Sequence, residues 1–177
     1  MGSYYYFAAS LPLLQFSRQA PFTMEKFYAD AQQAISKRDY ALITEPEAHP
    51  LEQALNAYQD EIMRHLAHER AQRVPFETEG VVPTSIDSLS AAHTARAMLE
   101  AKDPLEAEII LLYALWQRVD ELVGTHMFNE IFLLGYRVKL QIMQRKDLFT
   151  LELGSAQFER LFMLLQQKMQ SITNGAE

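Results

Sequence analysis

The residues of this sequence whose types and spacing best suit chemistry lie in the segment RHLAHE, where His65 and His68 are three positions apart and Glu69 follows. Residues three apart on a helix are neighbours on its surface, and imidazole and carboxylate groups are zinc ligands. The segment therefore admits a metal site. A di-metal carboxylate bundle would need Glu-x-x-His pairs on two helices, and the sequence contains no such pair. We favour the simpler interpretation that these side chains lie on the solvent-facing side of an amphipathic helix.

Two pairs of adjacent carboxylates, Asp60-Glu61 and Asp120-Glu121, would suit acid–base catalysis only inside a pocket that shifts their pKa values. Adjacent residues on a helix point in different directions, so we expect both pairs on the solvated surface. The sequence has no GxGxxG or Walker phosphate-binding loop, and it has no GxSxG or HExxH motif. We therefore expect no catalytic residue, no metal and no cofactor in this chain.

Composition places the chain among ordinary globular proteins and limits the kinds of partner that it can bind. Its 177 residues suffice for one domain with a hydrophobic core, and 49% of them are hydrophobic. The absence of cysteine excludes disulfides and thiolate metal sites. The formal net charge is −7, and the basic residues are scattered along the chain. Phosphate backbones would be repelled by such a surface, so we expect no nucleic-acid partner.

The opening segment, MGSYYYFAASLPLLQF, contains three consecutive tyrosines and no charged side chain. It does not fit a secretion signal, because no basic residue precedes its apolar run and because Ser10 and Pro12 interrupt that run. It is also too short to span a bilayer. We expect the segment to belong to the folded body of a cytoplasmic protein that does not insert into a membrane.

Most of the remaining sequence has the spacing of amphipathic helices. It predicts an all-α fold, a bundle of about six to seven helices in one domain over residues 1–177, with a joint at residues 74–83, where two prolines and a glycine occur. The clearest apolar stripe consists of Leu51, Leu55, Tyr58, Ile62 and Leu66. Capping residues or prolines predict the starts of five helices, at Thr23, at Ser36, at Pro50, at either Thr84 or Ser85, and at Asp103-Pro104. Two further helices are predicted from about Phe128 to Lys146 and after Gly154-Ser155.

Two segments have features that are typical of strands. Tyr4 to Ala8 is rich in aromatic residues, and Phe149 to Leu153 alternates apolar and polar side chains. If these segments pair, the bundle carries a minor two-stranded element.

Five segments, in chain order, resemble a family of uncharacterised proteins encoded beside the subunits of bacterial V-type (A/V-type) ATPases. They are SYYYFAASLP, PFTMEKFYADAQQAISKRDYALI, DPLEAE, the tryptophan-bearing helix that ends in DEL, and FNEIFLLGYRVKLQIMQR. More distantly, the pattern is similar to the V-type ATPase subunit called C in prokaryotes and d in eukaryotes, an all-helical funnel that seats the central rotor stalk on the membrane ring. Asn129, Arg137 and Lys139 faintly match polar positions of that subunit, whereas His126 and Met127 stand where it carries an aspartate.

The resemblance implies a non-catalytic subunit or assembly factor of a bacterial V-type ATPase, an adaptor between the central stalk and the membrane ring. Its partners would be stalk or membrane-ring subunits, with no small-molecule substrate. The chain would be cytoplasmic and held at the inner membrane through the ATPase complex. Interfaces of this kind combine aromatic anchors with a polar rim. The residues thereby implied in partner binding are Tyr4, Tyr5, Tyr6, Asn129, Tyr136, Arg137, Lys139 and Arg145.

Two alternatives remain open. One is a metal-binding helical-bundle enzyme that uses His65, His68 and Glu69. The other is a generic helical scaffold that dimerises through the apolar face of its last predicted helix. That face consists of Phe158, Leu161, Phe162 and Leu165.

Overall fold

In the computed structural model, which describes residues 2–46, 49–73, 89–127 and 129–149, the chain folds into seven α-helices. These residues contain no strand, so the predicted all-α fold is confirmed. None of the described helices is long and apolar enough to cross a membrane. The helices are α1 (Gly2–Ser10), α2 (Met24–Ala34), α3 (Lys37–Thr44), α4 (Pro50–Arg73), α5 (Leu89–Glu100), α6 (Pro104–Val123) and α7 (Glu130–Leu148).

Capping residues start three of these helices where the sequence predicts them. The side-chain oxygens of Thr23, Ser36 and Asp103 accept hydrogen bonds from the backbone N–H three positions on, at 3.3, 3.2 and 2.8 Å respectively. Each bond satisfies a donor that the first turn of a helix leaves unpaired. Pro50 occupies the first turn of α4, as predicted. Local sequence therefore fixes where α2, α3, α4 and α6 begin.

The opening segment corrects one prediction. Tyr4 to Ala8, predicted to be extended, lies inside α1. Phe7 and Ala8 are buried there, and the ring of Phe7 lies 5.8 Å from that of Phe27 in α2. The strand preference of aromatic residues is weak and depends on their neighbours, and in this fold the neighbour is a helix. The other predicted strand, Phe149 to Leu153, lies outside the described residues apart from its first member.

Helices α6 and α7 pack closely in the middle of the fold. The chain reverses between them at Gly124, whose φ of +52° favours glycine. Further along, Gly135 lets the two helices approach, because a Cβ there would lie only 2.2 Å from Cγ2 of Val123. On α6, Trp116 is buried, whereas Tyr113 is 47% exposed.

Helix α4 packs against α5, α6 and α7. Its predicted stripe is confirmed, since four members are buried and Tyr58 is half-buried beneath the guanidinium of Arg118. The buried members are Leu51, Leu55, Ile62 and Leu66. The predicted joint at residues 74–83 and the predicted caps Thr84 and Ser85 lie outside the described residues, so the single-domain organisation stays a prediction.

A segment without helix, residues 11–22, connects α1 to α2 and crosses α7; we call it the strap. Polar side chains of α7 make hydrogen bonds to its backbone, which satisfies groups that no helix pairs. These bonds run from Tyr136 Oη to the carbonyl of Pro12 (2.9 Å), from Lys146 Nζ to the carbonyls of Phe16 (2.6 Å) and Arg18 (2.8 Å), from Gln144 Nε2 to the carbonyl of Phe22 (3.1 Å), and from the Ala20 N–H to Asp147 Oδ2 (2.8 Å). The strap is therefore fastened to α7 along much of its length.

Candidate partner-binding surface

Two of the three opening tyrosines have side chains that the structure describes, and both are exposed to solvent. Tyr5 is 53% exposed and Tyr6 is 75% exposed, and their rings meet edge to face with centroids 5.8 Å apart. The next two residues of α1 are buried, so one helix presents aromatic rings to solvent beside side chains that anchor it to the core. Tyr4 belongs to the same helix, but its side chain lies outside the described part of the chain.

The strap exposes a third large apolar side chain, Leu13, which is 84% exposed. Beneath it lies a pocket of about 210 Å³ between the strap, the end of α6 and the first half of α7. A cavity of about 150 Å³ is enough to hold a benzene ring, so this pocket has room for one apolar side chain. It is lined by Leu11, Pro12, Leu13, Leu14, Val123, Phe132, Gly135, Tyr136 and Lys139. We call this pocket, together with Tyr5, Tyr6 and Leu13, the strap surface.

Tyr136 forms the inner wall of that pocket and faces the core. It is 7% exposed, and its ring stacks on those of Phe22 and Phe27, with centroids 6.4 and 5.7 Å away. Its hydroxyl donates to the carbonyl of Pro12 at 2.9 Å. Burial raises the pKa of Tyr136 well above its ordinary value of 10.0, because the phenolate would be desolvated. Its described contacts thus hold the strap on α7.

Arg137 joins α7 to α4 through an ion pair with Glu52. Both side chains are almost fully buried, at 8% and 12% exposure. The Arg137 Nε is also buried and has no hydrogen-bond partner among the described residues. A buried ion pair contributes little net stability, but the loss of one partner is costly because the other charge stays desolvated.

The remaining predicted partner-binding residues of α7 make contacts within the chain. Asn129 caps α7, accepting a hydrogen bond from the N–H of Phe132 at 3.1 Å. Lys139 pairs with Asp120 of α6, and its ammonium lies 4.6 Å from the ring centroid of Trp116. Arg145 pairs with Glu108 of α6 at 2.6 Å.

The structure therefore separates seven of the eight predicted residues, all but Tyr4, into two groups. Tyr5 and Tyr6 present exposed rings, whereas the residues of α7 and its cap make the ion pairs and hydrogen bonds described above. Partner binding by any of the eight stays a prediction. Sequence reasoning missed Leu13, and no local signal marks it, because the neighbouring Leu14 is buried.

The side chains of the histidine segment on α4 make contacts within that helix and with α5. The Nε2 of His65 lies 3.4 Å from Oε1 of Glu61, and that of His68 lies 2.9 Å from Nε2 of Gln72. Arg96 of α5 pairs with Glu69 at 3.1 Å. Within the described ranges, no three histidine, aspartate or glutamate side chains gather as a candidate metal site. The prediction that these residues are polar groups near the surface holds in part, because His65, His68 and Glu69 are half-buried.

Glu61 corrects the prediction for the first carboxylate pair. It was expected on the solvated surface but is only 7% exposed, with Arg64 and His65 beside it at 3.1 and 3.4 Å. The reason is that α4 packs against three helices, so its buried side is wider than the apolar stripe alone indicates. Asp60, its neighbour, is exposed as predicted, and so are Asp120 and Glu121.

Comparison of the whole sequence with protein-family models, with curated proteins and with solved structures finds no match in any of the three.

Proposed function

We propose that this chain is a non-catalytic helical adaptor of a bacterial V-type ATPase, either a subunit or an assembly factor, and that it binds a stalk or membrane-ring subunit through the strap surface. The observation that carries the proposal is the exposure of Leu13 beside an apolar pocket, together with the exposure of Tyr5 and Tyr6 on α1, the helix that leads into the strap. The choice of partner rests on the resemblance of SYYYFAASLP and the later segments to proteins encoded with that ATPase.

The exposed side chains have the chemistry of interface anchors. A tyrosine combines a large apolar ring with a hydroxyl that can reach a polar partner, and such residues are enriched at the energetic centres of interfaces. Leu13 is almost entirely in water. Covering a side chain of this size stabilises a complex by roughly 2 kcal/mol. The pocket below it would receive an apolar side chain from the partner.

The strap is held in place before any partner arrives. Five hydrogen bonds from α7 fasten its backbone, and the strap ring Phe16 packs against Tyr113 and Trp116 with centroids 5.1 and 5.7 Å apart. A surface fixed in its bound shape loses less conformational entropy on binding. An adaptor that transmits torque between a stalk and a ring needs such fixed contact surfaces more than it needs a cleft.

The test is affinity capture with the full chain immobilised and detergent-solubilised membranes of the native host. We expect recovery of V-type ATPase stalk or ring subunits, quantified by mass spectrometry. The variant Y6A/L13D should recover about tenfold less, because it removes one ring and places a charge over the pocket. A matched control is L89D, since Leu89 is 83% exposed but lies at the start of α5.

Two results would contradict the proposal. The first is that the unaltered chain recovers no ATPase subunit, which removes the partner. The second is that Y6A/L13D and L89D recover the same subunits equally well, which removes the strap surface as the site while leaving the partner in place.

A further inference from the structure

A groove of about 510 Å³ runs between α4, the end of α5 and the start of α6; it shares only α6 with the strap surface, whose pocket lies at the other end of that helix. We call it the α4–α6 groove. Its apolar lining is formed by Met63, Leu66, Met98, Leu99 and Ala107, and its polar lining by Arg70, Lys102, Asp103 and Glu108.

The apolar lining suits an apolar helix face. Met63 is 38% exposed, and Leu66 and Met98 lie below it at 4% and 9%. Methionine is unbranched and polarizable, so it adapts to differently shaped side chains and is frequent on surfaces that receive helices. A long groove between helices is the receiving site in helix-in-groove recognition, where anchors at i, i+3 or i+4, and i+7 enter it.

The charged side chains along the groove differ in whether they already have an ion-pair partner within the chain. Of the two acids, Glu108 pairs with Arg145, whereas Asp103 keeps its charge and caps α6 by accepting from the N–H of Glu106 at 2.8 Å. Arg70 and Lys102 are exposed and form no ion pair with any described residue. The groove therefore presents two positive charges that no described ion pair neutralises, against the single unpaired carboxylate of Asp103, although the whole chain carries a formal charge of −7.

We propose that the α4–α6 groove binds an acidic amphipathic helix of a partner protein. Leucine-like side chains of that helix lie on the methionine-lined floor, and its aspartate or glutamate side chains pair with Arg70 and Lys102. Charge complementarity selects this occupant: a basic helix would be attracted by the chain as a whole but repelled at the groove. The inference does not depend on the V-type ATPase proposal, which concerns another surface and another kind of contact.

The probe is a fluorescent synthetic peptide of about 18 residues, long enough for several helical turns, with leucine on one face and glutamate on the other. A second peptide has the same leucine face and lysine in place of glutamate. Binding to the full chain is measured by fluorescence anisotropy at low and high salt. We expect the glutamate peptide to bind about tenfold more tightly than the lysine peptide, and this preference to shrink as salt screens the pairs.

Charge reversal locates the site. The variant R70E/K102E should reverse the preference, so that the lysine peptide binds about tenfold more tightly. The matched control is K37E/R38E, because Lys37 and Arg38 are also exposed, also lack a described ion-pair partner, and lie on α3. It makes the same change in net charge and should keep the original preference.

The methyl resonances of Met63 and Met98 give a second readout that does not depend on charge. Both should shift when the glutamate peptide is added to the isotopically labelled chain. If they instead shift when Leu161→Ser and Leu165→Ser are introduced without peptide, the occupant is residues 150–177 of this chain, and the proposal is wrong. If they shift with protein concentration alone, the occupant is a second copy, and the proposal is again wrong. Equal binding of the two peptides, or equal losses in R70E/K102E and K37E/R38E, overturns it as well.

Discussion

The strap surface and the α4–α6 groove each contain a partly apolar concavity, but they differ in whether their positive charges are already paired within the chain. At the strap surface the nearest cation, Lys139, is paired with Asp120 and lies over the ring of Trp116. Along the groove, Arg70 and Lys102 have no ion-pair partner in the described part of the chain. Paired charges add little to binding, whereas unpaired charges attract and orient a partner. The first surface therefore suits an apolar anchor, and the second suits an acidic helix.

The helices that carry the two surfaces are connected by an ion pair inside the protein. The pocket of the strap surface is built on α7, and the groove is built partly on α4. The ion pair between Arg137 and Glu52 joins these helices inside the protein. Changes at this pair should affect both surfaces, while changes nearer the strap should affect only one.

The largest effect is expected from Glu52→Ala. This change leaves the guanidinium of Arg137 buried without its carboxylate, which costs about 3–5 kcal/mol of unfolding free energy. Urea unfolding measures the loss, and both peptide binding at the groove and capture by the strap surface should weaken with it. The double variant E52L/R137M should regain most of the stability, because neither charge then remains. If E52A alone loses less than about 1 kcal/mol, the charge of Arg137 is solvated in the folded protein.

Gly135→Ala should have a smaller and more local effect. The added methyl group overlaps Cγ2 of Val123, and overpacking of this kind costs about 1–3 kcal/mol. In a V123A background the same change should cost clearly less, since the obstructing methyl groups are gone, and the difference is the coupling between the two sites. Groove binding should be unchanged, because neither residue lines the groove. Equal costs in both backgrounds would show that Val123 does not obstruct the added methyl group.

The smallest effect is expected from Tyr136→Phe, which removes the hydrogen bond to the Pro12 carbonyl and costs about 1 kcal/mol at neutral pH. Faster amide hydrogen exchange along the strap, with unchanged exchange along α5, should accompany it. Tyr113→Phe is the control, because Tyr113 is 47% exposed.

The stability difference between wild type and Y136F should also depend on pH. Burial raises the pKa of Tyr136 above 10.0, so the folded chain keeps its proton where the unfolded chain loses it. The stability linked to this group is complete below pH 10 and falls as the pH rises further, by at most about 1.4 kcal/mol per pH unit. Y136F lacks this loss, so its deficit should shrink above pH 10. A constant deficit between pH 8 and pH 11 would contradict a buried phenol; these limits are about two units below and one above the ordinary value.

The predictable part of the fold was the part governed by neighbours in sequence. Thr23, Ser36 and Asp103 could be identified as helix caps because a cap and its donor are three residues apart. Position 61 was mispredicted because its burial depends on helices α5, α6 and α7 rather than on the amphipathic pattern of α4 itself. The opening segment was mispredicted for the same reason, since Phe7 packs against α2.

For the candidate surface, the sequence predicts which types of residue take part but not which of them are exposed. The sequence indicates aromatic anchors, but Tyr5, Tyr6 and Tyr136 have the same side chain and opposite environments. Arg137 and Lys139 of α7 likewise have charged side chains that are usually exposed. Their ion-pair partners lie on α4 and α6, far away in sequence, so no local pattern predicts the pairing.

By itself, the sequence determined an all-helical fold, the starts of α2, α3, α4 and α6, and the buried stripe of α4, because periodicity and capping act over a few residues. Only the tertiary structure decided which tyrosines face solvent, which cations stay unpaired, and where the strap and the α4–α6 groove lie. Each of these depends on the packing of segments far apart in the chain, and close packing leaves room for a side chain in one arrangement and not in another.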